Sequence, residues 1–79
     1  MTFETEIIVV ATQGELSKLW FLTHLNAGKT REEAAREAHE SAREYMRQCG
    51  FSEEQLEKYL LPEQSYVDMM QVRLEGTEL

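Results

Sequence analysis

The chain has 79 residues and a formal net charge of −7, from 15 acidic and eight basic residues. A chain of this length forms one small domain and has no room for a two-domain enzyme. Nucleic-acid backbones are bound by positive patches, and anionic membranes attract polybasic segments, so the acidity argues against both ligands. We therefore expect a single domain over residues 1–79 that contacts neither nucleic acid nor membrane directly.

The hydrophobic content and the cysteine usage describe the class of protein further. Hydrophobic residues make up 42% of the chain, which is too many for a disordered acidic tail. The sequence contains no apolar run of about 18 residues and opens with no basic-then-apolar leader. Cys49 is the only cysteine, which excludes an intramolecular disulfide and fits a reducing compartment. A cytoplasmic protein is expected.

The first predicted element is a β-strand over residues 6–12. Residues 7–10 are four consecutive β-branched residues, a composition that favours a strand buried on at least one face. Gln13 and Gly14 are expected to end it.

Residues 15–26 allow two interpretations. Leu16, Leu19 and Trp20 recur at helical spacing within an otherwise apolar segment, which favours a buried helix ended by Gly28. The competing prediction is a second strand, paired with the first through a tight turn, although Gln-Gly is a poor type I′ sequence.

Residues 30–49 carry the clearest helix pattern. Thr30 and Glu33 predict a capping box at its start, and Gly50 suits a left-handed cap at its end. The predicted apolar face consists of Ala35, Ala38, Ala42, Tyr45 and Cys49. Its alanines imply that another element approaches closely, and Cys49 is expected to be a small core residue.

The same helix has two charged faces. Glu33, Glu40 and Glu44 each precede an arginine by three residues, so ion pairs to Arg36, Arg43 and Arg47 are expected to neutralise them. His39 lies beside the arginines and is expected at the surface.

A shorter helix is predicted over residues 52–61, with a capping box from Ser52 and Gln55 and an end at Pro62. Residues 66–74 alternate loosely, which favours a second strand over a helix, and residues 77–79 are expected to fray. The expected fold is α+β, a short two-stranded antiparallel sheet with two or three helices. An all-α helical bundle is the alternative.

No constellation typical of catalysis or metal binding is present. His24, His39 and Cys49 are the only soft metal ligands, and none lies in a CxxC, HxxxH or HExxH arrangement. No serine lies in a nucleophile elbow, and the carboxylates of the long helix suggest a solvated face. We expect no enzyme, no cofactor and no metal site.

Acid is concentrated in the last third of the chain, where residues 51–79 contain seven acids and two bases, a sum of −5. The residues predicted to form a partner-binding acidic face are Glu53, Glu54, Glu57, Glu63 and Asp68. Such a surface resembles a row of phosphates, so electrostatic complementarity favours a protein partner with a basic nucleic-acid-binding site. The predicted function is that of a stoichiometric inhibitor that occupies this site.

In size, acidity, lone cysteine and lack of catalytic motifs, the chain resembles the small acidic proteins that phages and mobile elements use against host machinery, including anti-CRISPR proteins. The likeness spans the whole chain and rests on no residue motif. It implies binding to a CRISPR surveillance complex, often at the basic surface that meets target DNA.

The alternative function is that of a structural or adaptor subunit that acts by homo- or hetero-oligomerisation. Trp20 and Phe21 lie in a bulky apolar cluster and are the predicted interface, with a homodimer as one form of the assembly. A small core supplies about 3–5 kcal/mol, so a partner would add needed stability.

Overall fold

A computed structural model describes residues 2–76, with side chains described as far as Val72. The described residues form four helices: α1 (Phe3–Asn26), α2 (Arg31–Gln48), α3 (Glu53–Tyr59) and α4 (Glu63–Gly76). Since no β-strand occurs among them, the predicted α+β fold is wrong and the all-α alternative describes the chain. The fraying expected of residues 77–79 concerns residues outside the described range.

Helix α1 replaces the strand predicted for residues 6–12. It begins after Thr2, whose hydroxyl accepts a hydrogen bond from the Thr5 amide at 3.2 Å, and continues through Gly14 without a break. Its buried residues recur one turn apart, at Val9, Gln13, Ser17 and Phe21. Strand preference spans only about 1 kcal/mol and depends on context, so burial of this stripe outweighs it.

The end of α1 agrees with the helix predicted for residues 15–26. The helix ends at Asn26, and Gly28 follows with φ of 95°, a left-handed conformation that a side chain disfavours. The predicted stop is confirmed, whereas the predicted start at residue 15 is wrong because the helix begins twelve residues earlier, at Phe3.

Helix α2 is confirmed. Thr30 and Glu33 form the predicted capping box, and Gly50 adopts φ of 97° after the last turn. Its fully buried alanines are Ala34, Ala35, Ala38 and Ala42. Because these side chains are small, α1 and α4 both pack closely on α2, which is the centre of the fold.

His39 is buried, with 2% of its surface exposed, so the predicted surface position is wrong. Its Nε2 donates to the Leu61 carbonyl oxygen at 2.8 Å, and its ring meets the Tyr66 ring edge-on at 5.0 Å between centroids. This hydrogen bond joins α2 to the connection between α3 and α4. Cys49 is half-buried and packs against the core.

Helix α3 is confirmed as a short helix with the Ser52–Gln55 capping box, although it ends at Tyr59 rather than at Pro62. Phe51 and Leu56 flank its start and are both buried, as in a hydrophobic staple.

Helix α4 replaces the strand predicted for residues 66–74. Tyr66, Val67 and Met70 are buried, and this spacing places them on one side of a helix. They pack on α2, while Asp68, Met69 and the exposed Val72 lie away from the core.

Candidate protein-binding surfaces

The acidic surface, defined as Glu53, Glu54, Glu57, Glu63 and Asp68, lies on α3 and α4. All five residues are exposed. Glu53 forms an ion pair with Arg47 of α2, whose Nη2 and Nε lie 2.8 Å and 3.0 Å from Glu53 Oε1. Asp68 accepts a hydrogen bond from Gln64 Nε2 at 3.0 Å. Arg47 therefore neutralises one of these five carboxylates, and the other four have no ion pair within residues 2–72.

The ion pairs of α2 differ from those that the three-residue spacing predicts. Arg36 contacts Glu32, at 2.6 Å between Nη2 and Oε1, and not Glu33. The Glu33 carboxylate caps the helix at Thr30, and the hydrogen bond from the Thr30 hydroxyl is the main reason that the pKa of Glu33 is lowered. The predicted pairs of Glu33, Glu40 and Glu44 with the arginines three residues on are therefore not formed among the described residues, although Arg36 pairs with Glu32 in the same helix.

Glu40 and Glu44 are consequently without an ion pair in the described part of the chain. Arg47 reaches α3, and Arg43 lines a cavity beside Glu57 on the same side of α2. Glu44 accepts a hydrogen bond from Gln48 Nε2, at 3.2 Å. Helix α2 thus separates these charges, with Arg43 and Arg47 toward α3 and the two carboxylates toward α1.

An aromatic groove of about 550 Å³ lies between α1 and α2, beside these carboxylates. Its lining includes Trp20, Glu37, Glu40, Glu44, Tyr45 and Gln48. The Trp20 and Tyr45 rings are half-buried, with centroids 5.9 Å apart and planes tilted by 57°. Burial, followed by a hydrogen bond with Cys49, raises the pKa of Tyr45, so the phenol stays neutral in the groove.

One end of the aromatic groove already holds a cation. Lys29 Nζ lies 2.6 Å from Glu37 Oε2, and this hydrogen bond raises the pKa of Lys29. His24 Nδ1 lies 4.0 Å from the same oxygen. Glu37 is therefore matched by Lys29, whereas Glu40 and Glu44 present their negative charge to solvent.

The two residues predicted as an oligomer interface occupy different environments. Phe21 has none of its surface exposed and belongs to the core, whereas Trp20 is half-buried in the aromatic groove. Phe21 therefore contributes no exposed surface to an interface. The large apolar residues that α1 does expose are Phe3, Ile7, Ile8 and Leu19.

Hydrogen bonds of Glu6 join the start of α1 to α3. Its carboxylate accepts from Tyr59 Oη at 2.7 Å and from Gln55 Nε2 at 3.0 Å. The Tyr59 hydrogen bond is the main cause of the lowered pKa of Glu6, and the same bond raises the pKa of Tyr59. Sequence patterns gave no signal for this contact because it joins residues 53 positions apart.

Two further properties concern ligands. Within residues 2–72 no three His, Cys, Asp or Glu side chains come together to hold a metal ion. None of the helices described has the length and apolar character needed to cross a membrane.

Comparisons with known proteins return no relative: no protein-family model, curated protein or solved structure matches the chain.

Proposed function

We propose that the protein is a stoichiometric inhibitor that binds a partner protein through its acidic surface and occupies a basic nucleic-acid-binding site. The observation that carries the proposal is that most of the predicted carboxylates are exposed and have no ion pair. Glu54, Glu57, Glu63 and Asp68 are exposed and free of ion pairs in the described residues, and only Glu53 is matched, by Arg47. Unmatched exposed carboxylates can form new ion pairs with a partner without first breaking old ones.

The resemblance to anti-CRISPR proteins makes the DNA-binding surface of a CRISPR surveillance complex one candidate target. An acidic surface contributes chiefly to the association rate and to partner choice, because exposed ion pairs are weak individually and screened by salt. Binding in the cytoplasm, where such complexes and their nucleic acids meet, is part of the proposal.

The test is the double charge reversal E54K/E57K. Each exposed ion pair contributes about 0.5 kcal/mol, and a lysine replaces that attraction with a similar repulsion. Two reversals therefore cost about 2 kcal/mol, or roughly 30-fold in Kd. The partner is first captured from a lysate of the source organism at low salt, and its affinity for each variant is then measured by biolayer interferometry.

The matched control is E4K/E15K. Glu4 and Glu15 are exposed acids on α1, and Glu4, like Glu54, lies in the first turn of its helix. Both variants change the net charge equally and lose one first-turn acid. We expect E4K/E15K to bind within about threefold of the wild type. Equal losses in both variants would leave only a net-charge effect, and unchanged affinity of a folded E54K/E57K would refute the proposal.

A second candidate function is that of an oligomerising adaptor subunit. It is supported by the apolar residues that α1 exposes, since Phe3 and Ile8 have 67% and 64% of their surfaces exposed and Leu19 has 58%. Soluble monomers rarely present large contiguous apolar patches, and such patches often mark interfaces.

Sedimentation velocity separates this candidate from the inhibitor. At tens of micromolar, on the order of weak dimer affinities, an adaptor should show a dimer that Ile8→Glu converts to monomer. A wild-type chain that stays monomeric under these conditions would exclude self-association as its function.

A further inference from the structure

The aromatic groove combines an aromatic pair, which the acidic surface lacks, with unpaired carboxylates and an open shape. Two aromatic rings that contact each other line it, with 5.9 Å between the centroids of Trp20 and Tyr45. Two carboxylates, Glu40 and Glu44, stand one helical turn apart on its α2 side without ion pairs among the described residues. The groove is also open, so an extended side chain can enter without a change of fold.

This combination matches a planar cation. Aromatic faces attract cations through the ring quadrupole, and arginine does so more often than lysine because its guanidinium is flat and weakly hydrated. The guanidinium also presents several N–H donors in one plane, which suits carboxylates placed beside a ring. A neutral polar group would gain neither interaction.

Three of the chain's cations are held by other carboxylates. Lys29 is held by Glu37 at 2.6 Å, Arg36 by Glu32 at 2.6 Å, and Arg47 by Glu53 at 2.8 Å. Among the described residues no cation forms an ion pair with Glu40 or Glu44, so both carboxylates can take a cation from outside the chain.

We propose that the aromatic groove binds one exposed arginine side chain of a partner protein, with the guanidinium against Trp20 and Tyr45 and its N–H groups on Glu40 and Glu44. The site is separate from the acidic surface on α3 and α4, and it does not depend on the function proposed above. A partner with a basic surface would thus contact the protein at two places. Its basic residues would meet the carboxylates of α3 and α4, and one of its arginine side chains would bind in the groove between α1 and α2.

Trp20 is the only tryptophan of the chain, so its fluorescence reports occupancy of the groove directly. The probe is the blocked peptide acetyl-Gly-Arg-Gly-amide, titrated into the full-length protein. The control peptide carries citrulline in place of arginine, which keeps the shape and removes the charge. We expect saturable quenching by the arginine peptide, with Kd on the order of a millimolar, and no saturation by the citrulline peptide over the same range.

Two protein variants test which carboxylates bind the arginine peptide. E40Q/E44Q should weaken binding of the arginine peptide at least about fivefold, because both carboxylates that face the guanidinium lose their charge. E4Q/E15Q removes equal charge from exposed positions of α1, outside both surfaces, and should bind within about twofold of the wild type. Both double variants replace exposed residues, and far-UV circular dichroism verifies their helices.

Equal quenching by the citrulline peptide would overturn the proposal, and this result needs no variant. Equal weakening by the two double variants would also overturn it, because binding would then follow net charge alone. Failure of E54K/E57K to lower partner affinity refutes the inhibitor function but leaves this peptide result unchanged, so the two proposals fail separately.

Discussion

The close packing around α2 gives a sharp prediction for Ala38→Leu. Ala38 is fully buried on the alanine face of α2, the helix on which α1 and α4 pack. A leucine there inserts three more carbons at a position with no exposed surface. Cores packed to this density respond with displaced side chains and backbone shifts.

The magnitude follows from the size of the insertion and of the domain. Overpacking of this kind costs about 1–3 kcal/mol, against a total of about 3–5 kcal/mol for a core of this size. Since 1 kcal/mol shifts the melting temperature of such a domain by about 4–8 °C, Ala38→Leu should lower Tm by at least about 4 °C and by as much as about 20 °C.

The assay is urea unfolding followed by far-UV circular dichroism, with Ala11→Leu as the matched control. Ala11 lies on the exposed side of α1, where the same substitution should change the free energy of unfolding by less than about 0.5 kcal/mol. A wild-type midpoint for Ala38→Leu would refute close packing at this alanine. Equal losses in the two variants would point to helix propensity instead of packing.

Two other substitutions test contacts between elements. Tyr59→Phe removes the phenolic hydroxyl that lowers the pKa of Glu6. Because that pKa is lowered on folding, the ionised carboxylate stabilises the fold above about pH 4.5, and this stabilisation is lost as the pH falls through the folded-state pKa. Urea midpoints should therefore separate wild type and variant more at pH 6 than at pH 3, and a difference independent of pH would contradict the role of this bond. His39→Phe keeps the ring beside Tyr66 but leaves the Leu61 carbonyl without its side-chain donor, at a cost of about 1 kcal/mol in thermal unfolding. An unchanged Tm would show that solvent replaces the imidazole.

The helices that the sequence predicts correctly are those with local start signals. Thr30 and Glu33, and later Ser52 and Gln55, form reciprocal caps within four residues, and such caps depend little on the rest of the fold. The helix end at Gly28 could be predicted for the same reason, since its left-handed conformation depends on the local backbone.

The two wrong strands are segments whose state is decided by tertiary packing. Residues 7–10 favour a strand by composition, yet α1 is a helix that buries a stripe of residues spaced one turn apart. Tyr66, Val67 and Met70 sit at spacings that fit a buried helix as well as a loose alternation. In short apolar runs of this kind, the sequence alone does not distinguish the helical period of 3.6 residues from the strand period of two. Packing against a neighbouring helix decides between them.

The charged surfaces could be predicted from the sequence only in part. Exposure of Glu54 and Glu57 on α3 follows from the helix pattern, whereas the pairing of Arg47 with Glu53 joins two helices and depends on how they cross. Once Arg47 reaches Glu53, Glu44 has no arginine, and the aromatic groove becomes acidic. The spacing of charges within α2 alone does not indicate that Arg47 pairs with Glu53 of α3 instead of with Glu44.

The inhibitor function is tested most directly by competition on the captured partner. The partner is loaded with a fluorescently labelled DNA duplex, and the protein is titrated while fluorescence anisotropy is followed. Displacement of the DNA should be complete, with an equivalence point of one protein per DNA site when the partner concentration exceeds Kd, and E54K/E57K should shift the curve roughly 30-fold at lower partner concentration. Simultaneous binding of DNA and protein to the partner would contradict the proposed occupation of the nucleic-acid site.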